Sequence, residues 1–136
     1  MAVPENVVKT SDFDFFSQEE AEVFDNTVGI RRRHIAPDNM CASDMCQAAA
    51  EKLLEELGWE RDSIDVLLFE SVTGDYRTPP TSCILQDRLA LSENCFCMDI
   101  PMGCCGCMYA ITVAGNLLTT GNVKRALLLI GDTALR

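Results

Sequence analysis

Ser43-Asp44-Met45-Cys46-Gln47-Ala48-Ala49-Ala50-Glu51-Lys52-Leu53-Leu54-Glu55-Glu56-Leu57-Gly58, followed after a short polar step by Ile64-Asp65-Val66-Leu67-Leu68-Phe69, sets the fold class. Cys46, Ala49, Ala50, Leu53, Leu54 and Leu57 recur at i, i+3, i+4, i+7, i+8 and i+11, the spacing of one helical face. Ser43 is a suitable N-cap and Gly58 a suitable stop, so the spacing predicts an amphipathic helix between them. Ile64 to Phe69 is a nearly unbroken apolar run, as expected of a strand covered on both faces.

Downstream the alternation continues. A polar loop, residues 73–78, leads through Pro79-Pro80 into a helix predicted over Thr81 to Leu89. Cys95 to Ile100 reads as a strand, Cys104 to Thr120 as a helix closed by Gly121-Asn122, and Lys124 to Gly131 as another strand. Upstream, Ser17-Gln18-Glu19-Glu20 fits a capping box and predicts a short helix to about Asn26. Val28 to Ile35, which contains Arg31-Arg32-Arg33, reads as a basic loop or short edge strand. Helix and strand in strict alternation imply an α/β fold with a mostly parallel sheet flanked by helices. No repeat, low-complexity tract or linker divides the chain, and the sequence ends at Leu135-Arg136 directly after a strand, which suggests a partial domain.

Composition narrows the function. The 136 residues carry 11 Lys plus Arg against 21 Asp plus Glu, a formal charge of −10, with 48% hydrophobic residues. That profile is globular rather than disordered. It argues against nucleic acid or an anionic membrane as partner, because phosphate recognition needs a positive footprint. The longest apolar runs are strand-sized, far below the roughly 20 residues that span a bilayer. The first twenty residues are mixed and acidic, unlike a secretory leader, so the expected location is the cytoplasm and the eight cysteines are expected to be thiols rather than disulfides.

Five of those cysteines fall between 95 and 107. The segment Asp99-Ile100-Pro101-Met102-Gly103-Cys104-Cys105-Gly106-Cys107-Met108-Tyr109-Ala110 puts Cys104 where a strand and tight turn give way to a helix. The unpaired amides at the opening turn of a buried helix stabilise an anion, so a thiol held there is suited to nucleophilic attack. Gly103 and Gly106 would leave room for a bulky substrate. Two other arrangements are compatible with the spacing: a zinc site of Cys95, Cys97, Cys104 and Cys107, and a redox pair of Cys104 and Cys107. The apolar residues around Cys95 and Cys97 disfavour zinc, and no metal ligand is assigned. Cys41, Cys46, Cys83, Cys95, Cys97 and Cys107 are expected to serve as small buried apolar residues.

Several segments, in order and in spacing, resemble the N-terminal part of β-ketoacyl-acyl-carrier-protein synthase III: residues 29–36, the helix–strand unit through Phe69, residues 79–86, residues 99–110 and residues 121–132. The resemblance implies a thiolase-like layered fold of which residues 1–136 form a single partial N-terminal domain, lacking the first strand and the C-terminal half. Without that first strand its sheet neighbours would have unpaired backbone groups. It further implies a condensing acyltransferase of fatty acid biosynthesis. An acyl group passes from acyl-coenzyme A to an active-site cysteine and then condenses, with loss of CO₂, with malonyl-acyl-carrier-protein. Coenzyme A enters as substrate and no separate cofactor is implied; a cytoplasmic homodimer is the expected assembly. Hydroxymethylglutaryl-coenzyme A synthase-like chemistry is the alternative within the superfamily, and a Cys₄ zinc-binding interaction domain the alternative outside it.

Residue by residue, the family's nucleophile falls on Cys104, with Gly106, Tyr109 and Ala110 completing the motif and Gly106 beside the substrate. Arg31, with Arg32 and Arg33, stands where a contact to coenzyme A phosphates or to the acidic carrier would lie, or belongs to a solvated loop. Thr78 replaces a bulky aromatic that in many relatives limits the acyl pocket, so a larger starter group is expected to fit. Val23 stands where relatives stack a tryptophan on adenine, and Trp59 is expected to pack at a helix end. The family's helper His and Asn belong to the C-terminal half, and the single histidine, His34, matches a noncatalytic position.

Overall fold

The computed structural model describes residues 1–134; Leu135 and Arg136 lie outside the described residues. The first layer forms from short elements. Strand β1 (Val7–Lys9) pairs antiparallel with β2 (Arg32–His34), and between them runs α1 (Gln18–Val28). The capping box expected at its start is present: the Glu20 amide donates to Ser17 Oγ at 3.3 Å, and the Ser17 amide donates to Glu20 Oε2 at 2.9 Å. Gly29 ends the helix at φ +79°, a left-handed conformation that glycine adopts without strain.

The main unit is α2 (Ala42–Leu57), β3 (Val66–Glu70), α3 (Thr81–Arg88), β4 (Phe96–Asp99), α4 (Gly106–Thr119) and β5 (Ala126–Ile130). Its sheet is parallel, in the order β4-β3-β5. Every residue of β3 is buried, because helices cover both of its faces. With a side-chain period of two, Leu67 and Phe69 pack with Leu127 and Leu129 against α2 and α3. Val66 and Leu68 point the other way, onto Ala110 and Ala114 of α4. Removing each of these large side chains from water contributes roughly 1.5–3 kcal/mol. Among the described residues no helix is long and apolar enough to cross a membrane.

Three local expectations are corrected. Helix α2 starts before Ser43, with Cys41 in the cap position and its amide donating to Asp44 Oδ2 at 2.8 Å. Ser43 is instead buried, donating to Asp75 and accepting from Arg88 Nη1 at 2.9 Å, so its hydroxyl is taken by non-local partners. The predicted apolar face of α2 is only partly covered: Cys46, Ala50 and Leu54 are buried but Leu53 and Leu57 are exposed. Leu53 lies beyond the cover of the edge strand β5, in an open groove of about 790 Å³ shared with Ile130 and residues 1–4. Finally, Cys83 is exposed rather than buried, because it sits on the outer side of α3. All eight cysteines are free thiols.

Candidate active site

The C-terminal ends of the three parallel strands converge on one edge of the sheet, the place where open α/β folds bind ligands. At the end of β4, the two carboxylate oxygens of Asp99 accept from the amides of Thr81 and Ser82, each at 2.8 Å. The cap position of α3 is Pro80, which has no side-chain acceptor of its own, so Asp99 supplies the cap from the neighbouring strand. Beyond β5, Asp132 Oδ1 accepts from the amides of Val72 and Thr73 at 2.8 and 3.2 Å and from Ser71 Oγ at 2.9 Å. These two aspartates fix the strand ends and the loop after β3 around the segment that carries Cys104.

That segment is a 3₁₀ turn, Gly103–Cys105, running directly into α4. Gly103 adopts φ +61°, so the turn needs glycine for its backbone. Cys104 is exposed on this turn. The cap position of α4, Cys105, makes no side-chain cap hydrogen bond, and the first turn contains no acid. No side chain of the helix itself neutralises its positive end, which favours an anion held there. The expectation of a buried helix needs correction: α4 buries Gly106, Ala110 and Ala114 but exposes Met108, Tyr109, Ile111 and Leu118. Only its sheet-facing stripe has a partner.

Gly106 is also glycine for a reason other than substrate access. It is buried, and a side chain there would collide with the carboxyl and Cγ of Glu70. Glu70 closes β3 and is only 3% exposed. The Gly103 amide donates to its carboxylate. Its Oε1 has no hydrogen-bond partner among the described residues. Burial, reinforced by the negative charge of Asp132, pushes this carboxyl above the usual carboxylate range, the Gly103 bond working the other way. The sequence reading missed Glu70. The available signal was a single charge ending an apolar strand, two residues after Leu68 and hence on the α4 face.

The zinc reading of the cysteine cluster finds no geometric support. Among the described residues no three His, Cys, Asp or Glu side chains converge as a metal would require. Cys95 is buried and Cys97 half-buried, and both thiols are shifted upward chiefly by burial, Cys97 to about 12. Thiols shifted upward in this way are poorly suited to act as nucleophiles.

Comparison with known proteins follows from this geometry. A β-ketoacyl-[acyl-carrier-protein] synthase III of Xanthomonas oryzae is 34% identical over 134 residues, covering 98% of this chain and 41% of the relative. The Geobacillus kaustophilus protein of the same name is 35% identical over 130 residues, covering 96% of this chain and 42% of its own. The crystal structure of a 3-oxoacyl-(acyl-carrier protein) synthase from Burkholderia xenovorans superposes with a TM-score of 0.87 at 40% identity, covering 93% of this chain and 37% of that one. Over nearly all of its length the chain is similar to β-ketoacyl-[acyl-carrier-protein] synthase III proteins. It spans about two-fifths of the length of the curated relatives it matches. No protein-family model matches the sequence.

The other expected residues are dispersed. Arg31 is exposed immediately before β2, whereas Arg33 is taken up by the fold: its Nη1 donates to Thr10 Oγ1 at 3.0 Å and its guanidinium lies 5.2 Å from the centre of the Phe24 ring. Thr78 is exposed in the loop before α3, preceding a cis bond to Pro79. Val23 is exposed on α1. Trp59 packs against the core with the Arg125 guanidinium 4.9 Å from its ring centre, in keeping with a packing role. The open groove beside β5 is lined by none of Cys104, Thr78, Arg31 or Gly106.

Proposed function

We propose that this chain carries the nucleophile of a 3-oxoacyl-[acyl-carrier-protein] synthase III-like condensing enzyme. The observation that supports it most is the exposed placement of Cys104 at an uncapped helix start on the C-terminal edge of a parallel sheet. In this reading the Cys104 thiolate attacks the carbonyl carbon of an acyl-coenzyme A. The carbon–sulfur bond to coenzyme A breaks, and the coenzyme A thiolate leaves and takes up a proton. The Cys104 backbone amide donates to the oxyanion of the tetrahedral intermediate. Malonyl-acyl-carrier-protein then loses CO₂, its enolate carbon attacks the acyl-enzyme, and the new carbon–carbon bond releases the Cys104 thiolate.

Arg31 contributes positive charge toward the phosphates of coenzyme A or the acidic carrier, and Thr78 leaves space for the starter group. Gly106 acts on the substrate only indirectly, through the turn it lets form. The helper His and Asn implied by the family resemblance come from sequence beyond Arg136, and the enzyme they complete works as a cytoplasmic homodimer in fatty acid biosynthesis. The test is coenzyme A release on mixing the protein with acyl-coenzyme A esters of increasing chain length. One equivalent released per chain, with branched or longer starters accepted as well as acetyl, supports the reading. No release overturns it, and a strong preference for acetyl overturns the part assigned to Thr78.

A further inference from the structure

Glu70 presents a buried carboxyl where the alternation of β3 would accept another apolar residue. Val66, Leu68 and Glu70 share the face that meets α4, and the first two pack there as hydrocarbon. Burying a carboxyl with one oxygen lacking a partner is unfavourable unless the group does something the apolar residue would not. Its surroundings show what that is. The carboxyl occupies the space left by the missing side chain of Gly106, the first residue of α4, and accepts the amide of Gly103, the first residue of the turn. Cys104 lies between these two points of attachment.

We propose that Glu70 is a positioning residue for the Cys104 nucleophile: its side chain clamps both ends of the Gly103–Gly106 turn and so holds the thiol at the mouth of α4. This rests on the assignment of Cys104 as nucleophile. Burial raises the pKa of the carboxyl, which favours its neutral form over a full negative charge beside the helix start that an anionic sulfur would use. Gly106 and Glu70 are two halves of one fit, a glycine socket and a carboxyl plug.

The test is the site-resolved rate of alkylation by iodoacetamide, read by peptide mass spectrometry on the 136-residue chain, with Glu70→Ala, Glu70→Gln and the double variant Glu70→Ala/Gly106→Ala. Exposed Cys83 serves as a reference, and buried Cys46 and Cys95 report unfolding. Glu70→Ala is expected to slow Cys104 about fivefold with Cys83 unchanged, and Glu70→Gln, which keeps an acceptor and the volume, to restore the rate to within about twofold. Should Glu70→Ala expose Cys46 and Cys95, the double variant carries the comparison, since the added methyl fills part of the vacated socket. An unchanged Cys104 rate in the folded alanine or double variant overturns the proposal, as does a glutamine variant as slow as alanine. Alkylation needs no acyl donor: failed acyl transfer beside a positive alkylation series rejects the catalytic reading alone, and successful transfer beside a flat series rejects the clamp alone.

Discussion

At the scale of single residues, two carboxylates pull the stability of the chain in opposite directions with pH. Glu70 has its pKa raised by burial, so the folded chain holds that proton more tightly than the unfolded one. Its contribution is fully present below the ordinary glutamate pKa of about 4.3 and is lost as pH rises through the folded value. Asp65 accepts from the amides of Lys124 and Arg125 at 2.7 and 3.1 Å, which lower its pKa. Its contribution is present above about 3.9 and is lost as pH falls through the lowered folded value. Glu70→Gln should therefore gain on the parent chain as urea midpoints are taken from pH 4 up to pH 7, and Asp65→Asn should gain on it as they are taken from pH 5 down to pH 2; a pH-independent gap in either pair contradicts the assignment. The placement of Cys104 on a turn before a helix was legible from sequence because a strand, a glycine turn and a helix are written consecutively around it. Glu70 was not, since an acid closing a strand reads as solvent-facing until the crossover of β4 and α4 brings Gly106 over it.

Among the elements, the alternation of helix and strand was readable throughout the main unit, and the start of α2 was where reading failed. Ser43 satisfies every local rule for a cap, yet Asp75 and Arg88, distant in sequence, claim its hydroxyl. The start of α3 shows the same non-local logic, with Asp99 reaching from β4 to two of its amides. Asp99→Ala should cost about 1–2 kcal/mol, the range for a lost helix cap, seen as a lower urea midpoint with unchanged slope. An unaltered midpoint would mean that water replaces the carboxylate without penalty. The apolar run expected as a strand over Ile64 to Phe69 is found as β3 over Val66–Glu70, and Leu67→Ala, which empties a fully buried site between α2 and α3, should cost about 2–5 kcal/mol by the same measurement. A loss below about 1 kcal/mol would contradict the packing described for that layer.

For the whole molecule, the layer order followed from one strand being apolar on both faces, whereas the exposed side of α4 and the open groove beside β5 depend on what no local pattern records. Met108, Tyr109, Ile111 and Leu118 remain in water along the helix that follows Cys104. On the proposed function, the 136-residue chain alone is expected to show little or no condensing turnover with acyl-coenzyme A and malonyl-acyl-carrier-protein; robust turnover from this polypeptide alone would contradict that. The central claim concerns the sulfur of Cys104, and the most direct measurement is tandem mass mapping of the chain after exposure to an acyl-coenzyme A. The account predicts one acyl group, cleavable by hydroxylamine, on Cys104 and its loss in Cys104→Ala. An acyl group on Cys105 or Cys83 that survives this substitution, or none at all, would contradict it.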